Sequence, residues 1–462
     1  MNPASLFSEF EPTGYDSWTK QAEAELGAKF DILKHWSLAP GVSTNAYATA
    51  DILNPEEVEQ MRNCQKLVPG WLNLPRLKLA TPAETNASIR EALSQGADGI
   101  IIDFQNTQPD TAEIALLLHH VKLNDNPVYF QTTQPVTLLF DAITNNTGYL
   151  VKGGIAHDPI ACWMRTGSNL AEAMKPVISF CQTKEGGEFR PLMVESHIYH
   201  NNGADPVQEL ACTLGALVTY MDLLTEAGIS PIKAFNSVFC SVSIGTQYLT
   251  EIAKLRALRY LLRKVAAAYD LSFEKTKPLI HAKTSSFYHS ATASYTNIIR
   301  ASSEVMSAVT GGCDALTIEG FDSHLTKETE LSSRIARNIS SVLSYESGLN
   351  VVADPAGGSY AIEQMSIALS NAAWALFVEM EDKGGLIKCF QEGYIQDLLR
   401  DSAKKKLDML ENGGVMIGVN RFTEPESNPV EAAQTSESNP AKLRLLRDTS
   451  LSEMFQNQRK TL

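Results

Sequence analysis

No C-x-x-C pair occurs among the seven cysteines, and an odd number cannot all pair within one chain. That excludes a disulfide framework or zinc ribbon and predicts reduced, mostly buried thiols in a cytoplasmic protein. No stretch reaches the roughly 18 consecutive apolar residues that read as a bilayer span, so no membrane partner is expected. The first ten residues (Met-Asn-Pro-Ala-Ser-Leu-Phe-Ser-Glu-Phe) have neither a basic start nor an apolar core, so no signal peptide is expected. Basic residues are scarce: 39 Lys and Arg face 53 Asp and Glu, a net charge of −14. A nucleic acid partner is therefore disfavoured, since affinity for phosphate polymers comes mainly from Lys and Arg.

What is present is ordinary globular material, 44% hydrophobic and 20% charged over 462 residues, enough for one large barrel with extensions. The most informative stretch runs from Leu192 to Asp205. A β-like run reaches His197, Tyr199 and His200, turns at Asn202-Gly203 and opens a helix at Asp205-Pro206, where Asp caps and Gln208 closes a capping box. Apolar residues then recur at steps of three and four from Val207 to Leu224, until Gly228 stops the helix. Titratable groups at the C-terminal end of a strand are where a β/α barrel keeps its chemistry.

Strand-like runs are read at 98–104, 128–131, 148–152, 192–197, 232–243, 278–283, 315–319 and 350–353. Helical patterns are read between them at 111–123, 135–145, 159–182, 206–227, 247–268, 294–309 and 328–347, with another at 363–383. Eight such units predict an α/β fold of (β/α)₈ barrel type over 71–422, rather than an open doubly wound sheet. Residues 1–70 read as an N-terminal helical arm and connecting segment, with Trp18, Ala22, Leu26 and Phe30 at four-residue steps. Residues 423–462 read as a polar, Pro-rich linker and a short helical tail from Lys442 to Gln456.

Four stretches carry a family resemblance: Glu251-Ile-Ala-Lys-Leu-Arg-Ala257, Ser333-Arg-Ile-Ala-Arg-Asn338, Glu346-Ser-Gly-Leu-Asn-Val-Val-Ala-Asp-Pro-Ala-Gly-Gly-Ser-Tyr360 and Gly414-Val-Met-Ile-Gly-Val-Asn420. In that order and spacing, residues 30–422 resemble the adenosylcobalamin-dependent acyl-CoA mutases, of which methylmalonyl-CoA mutase is the central member. The resemblance implies a barrel that holds acyl-CoA along its axis. It also implies a separate flavodoxin-like domain that carries cobalamin through an Asp-x-His-x-x-Gly loop. The cofactor supplies radical chemistry, and the protein supplies binding and shielding.

The chain departs from that pattern where the pattern does its chemistry. No Asp-x-His-x-x-Gly occurs; Asp322-Ser-His324-x-x-Lys327 has Lys in place of Gly. The family's Gly-Tyr-His-Met-Gln-Glu-Ala-Gly, aligned without gaps from Gly203, puts His197 and Ile198 where Tyr-His would stand. Tyr199-His200 follows two residues later. If it continued the strand it would keep the same face, about 6.6 Å nearer the loops. In Gly153-Gly-Ile-Ala-His-Asp-Pro159 a substrate-contacting Gln becomes Ala156. Arg-Ala-Gln-Thr-Ser-Gly-Trp-Ser becomes His281-Ala-Lys-Thr-Ser-Ser-Phe-Tyr288, and Lys does not replace the fork of Arg. His-Thr-Asn-Ala becomes Thr317-Ile-Glu-Gly320, adding Glu319 where an anionic thioester would lie.

These losses resemble the small, non-catalytic subunits of heterodimeric methylmalonyl-CoA mutase, which pair with a catalytic large subunit. The expectation is a barrel that binds no cobalamin alone and acyl-CoA weakly or not at all, the adenosylcobalamin residing in the partner. No residue is assigned as catalytic. Tyr199 and His200 are the candidates for that role, and Lys283, Ser285 and His197 are those for substrate contact. No metal site is expected, because His197 and His200 would lie on opposite faces of a strand. Glu251, Lys254, Arg256, Arg259, Arg263 and Lys264 read as a solvated or partner-facing helix surface. The competing readings are a catalytic barrel whose cobalamin domain is a separate chain, and a stand-alone acyl-CoA-binding module.

Overall fold

The computed structural model describes residues 14–133, 136–146, 151–183, 188–323, 329–423 and 443–461. Its central feature is a ring of parallel strands. Ten segments fall in two five-stranded sheets, but two pairs of segments are halves of single strands interrupted by proline. The first, β1, comprises Leu72–Asn73 and Arg76–Lys78 on either side of Leu74-Pro75; the fifth, β5, comprises Glu188–Arg190 and Leu192–Glu195 around Pro191. Proline removes one ladder donor without ending the strand. Across the first break, Leu74 N donates to Leu316 O at 2.9 Å and Ile101 N donates to Pro75 O at 3.0 Å.

The remaining strands are β2 (Ile100–Asp103), β3 (Val128–Gln131), β4 (Lys152–Ala156), β6 (Val238–Ile244), β7 (Ile280–Thr284) and β8 (Ala315–Thr317). Each pairs in parallel with the next. Ala315↔Leu72 returns β8 to β1, so the ring closes. This is the expected (β/α)₈ barrel.

Two of the strand assignments exchange places. The run at 350–353 is not a strand: Val351 and Val352 are 72% and 52% exposed on the loop after the helix Glu330–Tyr345. The first strand is β1, which sequence reading passed over because Asn73, Pro75, Arg76 and Lys78 dilute its apolar pattern. The run at 232–243 divides into a helical turn, Pro231–Asn236, and β6. The long helix at 159–182 is two helices, Pro159–Thr166 and Leu170–Thr183, parted at left-handed Gly167.

Burial has two layers. Leu74, Ile101, Tyr129, Ala156, Met193, Phe239 and Ala315, drawn from seven of the eight strands, fill the inside of the ring as a small core. A much larger core lies between the strands and the helices. There the helix Pro206–Glu226, apolar on most of its surface, packs on Tyr248–Ala268 and Tyr360–Asp382. The N-terminal helix, Tyr15–Leu26, buries no residue, and Trp18 stacks on Tyr47 at 5.1 Å. The tail helix is Leu451–Thr461, later than expected, and it is preceded by an extended segment from 443 to 450. The linker residues 424–442, and His324 and Lys327 of the Asp322 stretch, lie outside the described residues.

Candidate functional site

A cavity of about 560 Å³ opens at the C-terminal end of the strands. Its floor is the inner apolar layer, Ile101, Tyr129, Met193 and Phe239, and its wall is polar. Ala156 faces this space, so the replacement of Gln by Ala removes an amide from the cavity itself.

The wall carries a hydrogen-bond chain across four neighbouring strands and the turn after β5. Thr317 Oγ1 donates to Leu74 O at 2.7 Å, so it must accept from His281 Nε2 at 2.8 Å. His281 Nδ1 then accepts from Ser241 Oγ at 2.7 Å, and Ser241 in turn accepts from His197 Nε2 at 2.7 Å. His197 Nδ1 is left to accept from Ser243 Oγ at 2.7 Å. One carbonyl at the end thus sets the direction of the chain, and with both rings neutral each is the Nε2–H tautomer. Burial, with Lys283 adding to it, holds both imidazoles below the usual histidine range, His281 at about 3. Neither is a free acid or base.

The cations of the wall are also committed. Arg76 bonds Asp103 and Glu319, each at 2.8 Å, and Lys283 reaches Glu319 at 2.8 Å. Burial alone would raise the Glu319 carboxyl; Arg76 and Lys283 outweigh it and hold the group well below the carboxylate range. At the mouth, Arg165 pairs with Glu195 and lies 3.4 Å from Asp448. Sequence reading missed both arginines, Arg76 because β1 went unseen and Arg165 because it ends a helix with no motif around it. Asp158 lies beneath them. It caps the helix Pro159–Thr166, accepting from Ala161 N at 3.0 Å, accepts from Glu195 N at 2.8 Å and takes the Tyr220 hydroxyl. Burial, then the nearby Glu195, raises its carboxyl to about 6.

Of the five candidate residues, His197 and Lys283 line the cavity. The other three do not. β5 ends at Glu195 and His197–His200 is a helical turn, so the strand-face argument fails for Tyr199 and His200, and the opposite-face argument for the two histidines fails with it. Tyr199 is 1% exposed and packs in the outer core. His200 is buried with Nε2 on Ser285 Oγ at 2.8 Å and Nδ1 on Glu209 at 3.3 Å, which also accounts for Ser285. The turn reverses tightly through Gly203 (φ +88°), where a Cβ would meet that of Ala403 at 2.5 Å. Among the described residues, no group of three or more His, Cys, Asp or Glu is placed to hold a metal ion.

The charged helix is the clearest correction. In Tyr248–Ala268, Glu251, Lys254, Arg256 and Arg259 are all buried. Arg256, 0% exposed, bonds Asp354 and Glu363; Lys254 bonds Glu209 at 2.9 Å and Glu251 at 2.6 Å; Arg259 bonds Asp314 at 2.8 Å. Lys254 and Arg256, two residues apart, point to different sides of this helix, one to Glu209 and the other to Asp354 and Glu363. Spacing alone could not tell wet charges from buried ones, whose counter-charges lie between 3 and 107 residues away.

The wall histidines make a pH prediction. Below about pH 6.5 an unfolded histidine takes up a proton that folded His281 refuses, so stability falls as pH drops from 6.5 toward 3. For His281 the loss between pH 7 and 5.5 is about 1 kcal/mol. His197 acts in the same sense. Asp158 opposes them, because its folded form binds a proton near pH 6 and the unfolded carboxyl near 3.8. Urea midpoints at pH 7 and 5.5 should therefore show a lower value at 5.5; a flat profile would contradict neutral buried rings.

Comparison with known proteins agrees with this architecture. The family model "Methylmalonyl-CoA mutase" matches residues 109–461. The methylmalonyl-CoA mutase small subunit of Porphyromonas gingivalis is 27% identical over 455 residues, 93% of this chain and 73% of that one. The small subunit of Streptomyces virginiae is 29% identical over 397 residues, covering 83% and 64%. The methylmalonyl-CoA mutase of Cereibacter sphaeroides is 26% identical over 477 residues, covering 90% and 65%. All three are longer than this chain; it spans roughly two thirds to three quarters of their length. With a closed barrel of the expected kind and a match over most of its length, the chain belongs to the methylmalonyl-CoA mutase family.

Proposed function

We propose that this chain is the small, non-catalytic subunit of a heterodimeric methylmalonyl-CoA mutase, the isomerase that interconverts methylmalonyl-CoA and succinyl-CoA. In this reading it supports a catalytic large subunit, and that partner carries the adenosylcobalamin. The observation that carries the proposal is the state of the axial cavity: the space remains, but Arg76, Lys283 and Arg165 are each ion-paired to acids of this same chain. Gripping an anionic acyl group there would require breaking pairs already made in a half-buried site, at a cost of several kcal/mol.

The residues present do not fit cobalamin. Asp322, in the nearest match to the cofactor loop, spends Oδ2 on Thr329 N at 2.9 Å and on Thr329 Oγ1 at 2.7 Å, and the position requiring glycine is Lys327. No step is therefore assigned to the cofactor within this chain. A catalytic barrel served by a separate cobalamin-binding chain would need Tyr199 and His200 at the substrate, and neither lines the cavity.

Co-expression with a catalytic large subunit tests the proposal. The expected result is a stable complex whose isomerase activity is unchanged by Lys283→Ala in this chain. Loss of turnover in that variant, with the complex intact, would move the chemistry into this barrel. Failure to associate with any cobalamin-bearing chain removes the subunit reading altogether.

A further inference from the structure

The segment 443–450 runs past the loop side of the barrel and leads into the helix Leu451–Thr461, which packs on the helix Tyr394–Glu411. At the near end, Arg444 bonds Asp397 at 2.8 Å and the carbonyl of Gly393 at 2.6 Å. Leu446 N then donates to Met164 O at 3.0 Å, beyond β4, and the Leu446 side chain is 6% exposed. Thr449 N donates to Asn201 O at 3.0 Å, beyond β5, and Leu451 N donates to Phe287 O at 2.9 Å, beyond β7. Leu451 and Phe455 close the run in a small apolar cluster with Phe287, Leu410, Met416 and Val419. Between these anchors Asp448 faces the cavity and lies 3.4 Å from Arg165.

We propose that residues 443–461 are a strap by which the chain closes its own barrel mouth, with Asp448 as the internal anion held by Arg165. One short helix and two loops, from three different β/α units, are tied together by backbone hydrogen bonds to a segment far away in sequence. That arrangement restrains the mouth as a unit. Burial would lower the Arg165 guanidinium, but Glu195 and Asp448 outweigh it and hold it firmly charged. The strap stands on contacts within this chain and is independent of the subunit's role in a complex.

Cys162 supplies the reporter. It lines the cavity and is half-buried, whereas the other six cysteines are buried, so a bulky maleimide applied to the native full-length chain reads this thiol. Leu446→Asp should lift the strap, and Asp448→Asn should remove its charge from Arg165. The expected result is Cys162 labelling faster by about tenfold in Leu446→Asp and by a smaller factor in Asp448→Asn, with faster amide exchange over 443–461 in both. If Leu446→Asp also exposes the six buried thiols, Asp448→Asn carries the same readout, since its side chain is half-exposed and its loss opens no core. Unchanged Cys162 labelling alongside faster exchange in the tail overturns the proposal. So does tail exchange that is the same in both variants as in the parent chain.

Discussion

Replacing Arg256 by Met should lower stability by about 3–5 kcal/mol, read as a shift of the urea midpoint followed by helical circular dichroism. The guanidinium is wholly buried and joins Asp354 to Glu363, and Glu363 is itself 0% exposed. Glu363 also receives Arg62 Nε and Gly358 N, each at 3.0 Å. Removing Arg256 leaves Glu363 with half-exposed Arg62 as its remaining cation and strips Asp354 of this one. A methionine of similar length fills the volume but satisfies neither carboxylate, so the penalty is that of uncompensated buried charge. Arg256→Lys should recover only part of the loss, because one ammonium cannot span two acids as a planar fork does. A loss below about 1 kcal/mol in Arg256→Met would show that water reaches the pair, and with it that the helix face is wet.

That site explains why two of the resemblance motifs survive in a chain that has lost its substrate-binding pattern. Glu251–Ala257 and Glu346–Tyr360 are far apart in sequence but meet at Arg256–Asp354, where Tyr248–Ala268 packs on the helix beginning at Tyr360. Their charged letters hold the outer wall of the barrel together, so they bear on folding rather than on turnover. Sequence reading found the motifs without finding this purpose, since a charge repeating every three or four residues looks the same on either kind of face. The barrel was legible for a similar reason in reverse. Val, Ile and Phe in β2, β3 and β6 mark buried parallel strands whatever they pack against. β1 and Val351-Val352 defeated the same rule from opposite sides. A proline-broken strand keeps its place through its neighbours' hydrogen bonds, while two exposed valines in a loop mimic a strand they never form. At the site, the candidates His197 and Lys283 line the cavity together with Ala156. Residue types could not reveal the helical turn after Glu195 that carries Tyr199 and His200 away.

Replacing Lys254 by Met is expected to cost as much, and to show a pH dependence that identifies the cause. Lys254 is 2% exposed and bonds Glu209 at 2.9 Å, Glu251 at 2.6 Å and the carbonyl of Ser243 at 2.7 Å, tying two helices to the end of β6. Burial alone would raise the Glu209 carboxyl; Lys254 and His200 outweigh it and hold the group well below the carboxylate range. A carboxyl with a depressed folded pKa contributes stability that is present above its unfolded value, near 4.5, and lost as pH falls through the folded one. Without Lys254 the term reverses. Burial then raises Glu209, as it already raises Glu251, and the folded state takes up protons that the unfolded state does not. The variant should therefore lose about 3–5 kcal/mol at pH 8 and regain part of it as pH falls toward 5, on top of the loss the wall histidines impose on both proteins. Adding Glu209→Gln should return a further part at pH 8, because it removes one of the two stranded charges while its amide oxygen still accepts from Ser196 Oγ. A deficit that stays constant from pH 8 to 5, and that Glu209→Gln does not reduce, would place the loss in packing rather than in charge. The polar centre would then be no more than a filled volume.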